Sequence, residues 1–166
     1  RRPPRSTQSR SSAASDVYKR QVQAIQIFDS WVGCLSVSDY RNHVFAHSKK
    51  LIDSISGKVP IIHFGTGNPS LLPLMTEAGG DVMALDWRAP LKESWDLLGC
   101  KAVQGNMDPI ALFGSVDSVR QTAESILEEV GGRPGHIFNL GHGILPETPV
   151  ENVRALVEFV QGYEIS

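Results

Sequence analysis

At 166 residues, 41% hydrophobic and 20% charged, the chain is long enough to bury the core of one globular domain, and no apolar run approaches the roughly 18 to 20 residues that cross a bilayer. The net charge of −2 hides an asymmetry: residues 1–20 hold six of the sixteen Lys and Arg but one of the eighteen Asp and Glu, leaving ten basic against seventeen acidic residues, net −7, in the rest. An acidic body argues against nucleic acid as a partner, because phosphate recognition needs a basic face.

The first twenty residues, RRPPRSTQSRSSAASDVYKR, are rich in Arg and Ser and poor in acids. That composition fits a transit peptide or a disordered, extraneous leader with too little apolar surface to fold. From residue 22 onward, short β-branched runs ending in polar or Gly-rich turns alternate with amphipathic stretches. AIQIFDS (24–30) predicts a strand, and residues 39–55 predict a helix whose apolar face runs through Val44, His47, Leu51 and Ile55. VPIIHFGTG (59–67) then precedes a helix over 69–79, DVMALDW (81–87) one over 90–99, and AVQGNMDP (102–109) one over 115–132. HIFNLGHG (136–143) precedes the last, over 148–162, with an amphipathic Leu and Val spacing from Val150 to Val160. Asn68-Pro69, Ser115 and Thr148-Pro149 supply helix starts, and Gly57, Gly79 and Gly131 supply stops. Cys34 and Cys100 stand in no CxxC or Cys/His ligand spacing. They read as reduced thiols, as in a cytoplasmic protein, rather than as a disulfide or a zinc site.

Five βα units in succession predict a parallel sheet with helices outside it. Polar residues close every strand: Asp29-Ser30, His63 with Gly65-Thr66-Gly67, Asp86-Trp87, Asn106 with Asp108, and His142. An open doubly wound sheet gathers chemistry at one switch point, whereas a (β/α) barrel turns every strand end toward one mouth. The expected fold class is therefore α/β, a partial TIM (β/α)8 barrel over residues 21–166, made of five C-terminal βα units with parallel strands.

The segments IFDSWVG, VPIIHFGTG, GGDVMALDWR, VQGNMDP and HIFNLGHGILPETPVENV resemble, in order and spacing, the C-terminal part of the uroporphyrinogen decarboxylase family over about residues 22–162. The resemblance implies barrel strands four to eight, so residues 1–20 read as extraneous to a chain that otherwise resembles the middle of a longer protein. It also implies a cofactor-free, metal-free lyase of haem biosynthesis. Such an enzyme decarboxylates the four acetates of the small-molecule substrate uroporphyrinogen to give coproporphyrinogen, as a cytoplasmic homodimer without membrane or nucleic-acid partners. Protonating a pyrrole creates a cationic ring that accepts the electrons of the breaking C–C bond, so a site for this reaction supplies a proton, a counter-charge and anchors for many carboxylates.

By the same resemblance Ser30 contacts substrate, Phe28 packs against the tetrapyrrole two positions earlier on the same strand face, and His142 binds a side-chain carboxylate. The flanking Gly141 and Gly143 would let backbone bend and substrate approach. The family's central aspartate, its arginines and its tyrosine belong to the half that the match does not include, so the isolated chain is expected to be inactive. Each residue has a plainer alternative. Ser30 can close a turn, Phe28 can fill a barrel interior, and His63 is expected to be a satisfied core histidine. Gly65-Thr66-Gly67 hints at a phosphate cradle but lacks the rest of a dinucleotide motif, and neither Asp86 nor Asp108 takes the central acid's role.

Two rivals stand beside the decarboxylase. One is a cobalamin-related methyltransferase of the same barrel, whose zinc site needs thiolates where this chain has His63-Phe64-Gly65 and Ile144-Leu145. The other is a non-catalytic truncated scaffold or interaction fragment, exposing sheet edges at AIQIFDS and HIFNLGHG that a closed barrel would not have.

Overall fold

In the computed structural model, residues 22–164 are described; the leader assigned to 1–20 lies outside them. Five parallel strands, β1 (Ile25–Asp29), β2 (Ile61–Gly65), β3 (Val82–Ala84), β4 (Val103–Gln104) and β5 (His136–Ile137), form one sheet in the order β1-β2-β3-β4-β5. Each strand pairs with its neighbour in sequence. A doubly wound sheet reverses direction at a switch point, whereas consecutive order is the topology of a (β/α) barrel. The helices are α1 (Val37–Asp39), α2 (Phe45–Ile55), α3 (Leu72–Ala78), α4 (Leu91–Leu98), α5 (Val116–Val130) and α6 (Val150–Gly162).

The last three strands are shorter than their apolar runs suggest, yet the backbone ladder continues past them. Leu85 N–H donates to Gln104 O, Gly105 N–H to Ile137 O, Met107 N–H to Asn139 O and Gly141 N–H to Met107 O. This ladder carries the β5 segment up to His142.

Strand alternation divides the side chains between two environments. Met83, Leu85 and Val103 face outward into a core with Leu72, Met75, Leu91 and Trp95 from α3 and α4. A second cluster, Met107, Leu112, Val119, Ala123 and Leu156, joins the β4 end to α5 and α6. The opposite sheet face carries a level row in register, Phe28, Phe64, Ala84, Gln104 and Ile137.

The predicted face of α2 is rotated. Phe45 and Ile52 pack inward together with Val44 and Ile55, while His47 is exposed and Leu51 is 51% exposed. The cause lies just upstream, where a π turn spans Tyr40–Val44. A π turn accommodates an extra residue, so the fully buried Tyr40 falls on the core stripe and a uniform period of 3.6 loses phase across it.

Helix ends follow local chemistry. The Ser115 side chain accepts from Ser118 N–H to start α5, and Asn68 accepts from Ser70 N–H ahead of α3. Gly79 and Gly131 close α3 and α5 as expected, whereas α2 ends on Ser56 with Gly57 following it. Thr148 does not cap α6; its hydroxyl accepts from Leu145 N–H in the preceding loop.

Candidate functional site at the strand C-termini

The strand ends enclose a cavity of about 380 Å³. Phe28 and Ser30 from the β1 end, Phe64 from β2, Gln104 from β4, and Asn139 and His142 from the loop after β5 line it. The two edges of the sheet thus contribute to one concavity. A second hollow of about 290 Å³ continues outward past Ser30 and His142 to Trp31, Trp87 and Arg88.

Aromatic rings run in a chain across this mouth. Phe28 meets Phe64 edge-on with centroids 5.9 Å apart, and Phe64 meets His142 at 6.4 Å. His142 stands edge-on to Trp87 at 6.3 Å, and the Arg88 guanidinium carbon lies 3.9 Å from the Trp87 ring centroid. Phe28 is 68% exposed and Trp31 87% exposed. Phe28 presents an exposed face toward the cavity.

Below the rim, Asp86 is the organising group. It is 4% exposed, and its Oδ2 accepts from Thr66 Oγ1 at 2.7 Å, Gly67 N–H at 2.7 Å and Arg88 Nη1 at 2.9 Å, while Oδ1 accepts from Arg88 N–H at 3.0 Å. Burial raises its pKa, but the donors from Thr66, Gly67 and Arg88 outweigh burial and hold the carboxyl below its ordinary value. The Gly67 N–H is consequently spent on Asp86, which removes the phosphate-cradle reading of Gly65-Thr66-Gly67.

Asn106 is likewise structural. Its buried Nδ2 donates to Asp86 O at 2.9 Å and Ala89 O at 2.6 Å, pinning the loop after β3. Asp108 caps Ile110 N–H at 2.9 Å. Neither acid lines the main cavity, and among the described residues that line it there is no carboxylate.

His63 belongs to the other face of β2. It is 0% exposed, its Nδ1–H donates to Gly79 O at 3.0 Å, and its Nε2 has no hydrogen-bond partner. It is a core histidine, but only half satisfied. Burial pushes its pKa below the ordinary value, with partial opposition from the Gly79 carbonyl.

The two glycines around His142 act differently from each other. Neither Gly141 nor Gly143 has a positive φ. A Cβ on Gly141 would collide with Trp87 N and the Asp86 backbone, whereas one on Gly143 would meet nothing within 4 Å. Gly141 is small so that the β5 loop can lie against the β3 loop, which sets His142 beside Trp87.

Arg88 is the cavity residue that motif spacing did not single out. Its side chain is 47% exposed and is held by Asp86 two positions earlier and by the neighbouring Trp87 ring. The pairing of a cation with acid and ring within the string Asp-Trp-Arg was the available signal. The two cysteines are free thiols, Cys34 exposed and Cys100 partly buried. No helix among the described residues is long and apolar enough to cross a membrane.

Comparison with known proteins places this geometry in a lineage. The family model described as uroporphyrinogen decarboxylase matches residues 5–163, a span that begins inside the segment assigned above to a leader. A uroporphyrinogen decarboxylase of Koribacter versatilis is 52% identical over 156 residues, covering 92% of this chain and 44% of the relative. Those of Carboxydothermus hydrogenoformans and Thermus thermophilus are each 53% identical, covering 83% and 82% of this chain and 40% of each relative. The chain thus spans less than half the length of the curated relatives it matches. A methyltransferase from Methanosarcina mazei shares the fold, with a TM-score of 0.75 at 24% identity over 89% of this chain and 44% of that one. With the family match covering nearly the whole chain, this protein belongs to the uroporphyrinogen decarboxylase family.

Proposed function

We propose that the chain forms the C-terminal wall of a uroporphyrinogen decarboxylase and holds the substrate by its rim. The observation that carries this reading is the convergence of Phe28, Ser30 and His142, from opposite edges of the sheet, on one cavity. Phe28 and Phe64 offer apolar faces to a macrocycle. The Ser30 hydroxyl and the His142 imidazole offer hydrogen-bond donors to acetate carboxylates. Binding and orientation are this chain's share of the chemistry.

The counter-charge for a protonated pyrrole comes from outside this cavity wall, because no described residue lining it is an acid. The isolated chain is accordingly inactive, and the complete enzyme is a cytoplasmic homodimer acting on a small molecule without nucleic acid. The free thiols support the compartment, and the acidic body the absence of nucleic acid. His63, at the position where a methyltransferase zinc ligand would stand, is fully buried with its Nδ1 on Gly79 O and has no thiolate two positions on, which disfavours metal-activated methyl transfer.

Joining this chain to the N-terminal part of the Koribacter versatilis relative tests the reading. The joined protein is expected to convert uroporphyrinogen to coproporphyrinogen, with Ser30→Ala and His142→Asn raising KM, while the chain alone releases no carbon dioxide. A folded joined protein without decarboxylase activity would refute the proposal.

A further inference from the structure

We propose that Arg88 is a second carboxylate anchor at the rim, gripping an acidic side chain of the ligand beside His142. This rests on the reading of the ligand as a polyacidic tetrapyrrole and adds to it a binding residue and a direction of approach.

Three observations support the assignment. Among the described residues lining the two connected hollows, Arg88 is the only Lys or Arg. Its guanidinium is fixed at two points, by the Asp86 carboxylate at 2.9 Å and by the Trp87 ring at 3.9 Å, yet the side chain remains 47% exposed. Asp86 engages one of the five guanidinium N–H groups, so the fork keeps donors for a carboxylate from solvent.

A pre-positioned fork loses less freedom on binding than a free arginine does. A residue whose work ended at neutralising Asp86 would not need to reach the hollow, because Thr66 and Gly67 already donate to the same oxygen. The Trp87 ring touches both Arg88 and His142, so the two donors share one aromatic neighbour. That arrangement suits a flat ring whose edge carries acids, with the macrocycle toward Phe28 and Phe64 and an acidic arm toward Arg88.

The test uses uroporphyrin, the stable oxidised octacarboxylate, with the chain joined to the relative's N-terminal part, and follows the Soret band. Arg88→Ala is expected to weaken binding about tenfold to a hundredfold, the range of a lost charge-assisted hydrogen bond. Arg88→Lys should fall between the two, and the salt dependence of binding should be shallower in Arg88→Ala than in the parent. Affinity unchanged in folded Arg88→Ala overturns the assignment and leaves the tetrapyrrole reading standing. An affinity loss with an unchanged salt slope marks a structural disturbance and also overturns it. Should Arg88→Ala not fold, Arg88→Gln and Arg88→Lys retain a donor for Asp86, and parental affinity in both is equally fatal. No uroporphyrin binding by the parent itself sinks the tetrapyrrole reading together with this one.

Discussion

The Thr66 hydroxyl donates to the Asp86 carboxylate at 2.7 Å, in a buried contact that ties the end of β2 to the end of β3. Through Gly67 and Arg88 the same carboxylate also fixes the loops on which Trp87 stands and against which His142 packs.

Replacing Asp86 with Ala strands four donors, from three residues, near one point. The expected loss is about 3 kcal/mol of stability, read from urea denaturation midpoints, with Asp86→Asn milder because it keeps an acceptor. Equal midpoints for Asp86→Ala and the parent would remove Asp86 from its organising place.

The two partly or fully buried histidines predict a pH response. Burial holds His63 and His136 below their ordinary pKa, opposed in part by the carbonyls of Gly79 and Gly105. Unfolded, both take up a proton near pH 6.5; folded, they do so only at lower pH. The stability they contribute is therefore complete above about pH 6.5 and is lost as pH falls below it. Thermal melts at pH 7.5 and pH 5.5 should differ, and His63→Asn should narrow the gap. A melting temperature flat across that range would contradict the assignment.

The two glycines around His142 should separate cleanly. Gly141→Ala pushes a methyl group into the Asp86–Trp87 backbone and is expected to cost about 1–3 kcal/mol. Gly143→Ala enters open space and should stay within about 0.5 kcal/mol of the parent, while narrowing the cavity it lines. The reverse order in chemical denaturation would mean that the His142 loop is seated differently.

Association is expected for the chain on its own. Among the described residues, the five residues of β1 pair on one side only, and an apolar groove of about 320 Å³ lined by Phe138, Leu140, Val153, Val157 and Val160 lies along the β5 side. Unpaired edges beside apolar surface template further pairing. Sedimentation velocity should show species larger than the monomer; one sharp monomeric boundary with a cooperative melt would argue against this.

Much of the architecture was legible in the residues because β-branched runs such as VPII and AIQI end in glycine or polar turns, and those signals are local. Ser30 and His142 stood out as polar residues at strand ends, whereas Phe28 and the substrate-binding roles came through the family resemblance. The phase of α2 was not, since the π turn at Tyr40–Val44 arises where a buried tyrosine must meet the core, a demand that no spacing rule contains. The reason for Gly141 was hidden for a similar cause: the obstacle is the backbone of residues 86 and 87, distant in sequence. Arg88 escaped notice because a surface arginine is ordinary until it is seen folded back over its own neighbour's ring. The β5 edge also proved short, two regular residues against five in β1.

The consecutive strand order has a bearing on how such a molecule is assembled. When every strand docks on the one made just before it, the ribosome delivers each unit to a finished template, and loop closures stay short and similar in cost. A sheet of interleaved strands would have to wait for distant partners. Here the growing wall is buildable from one end, stave by stave.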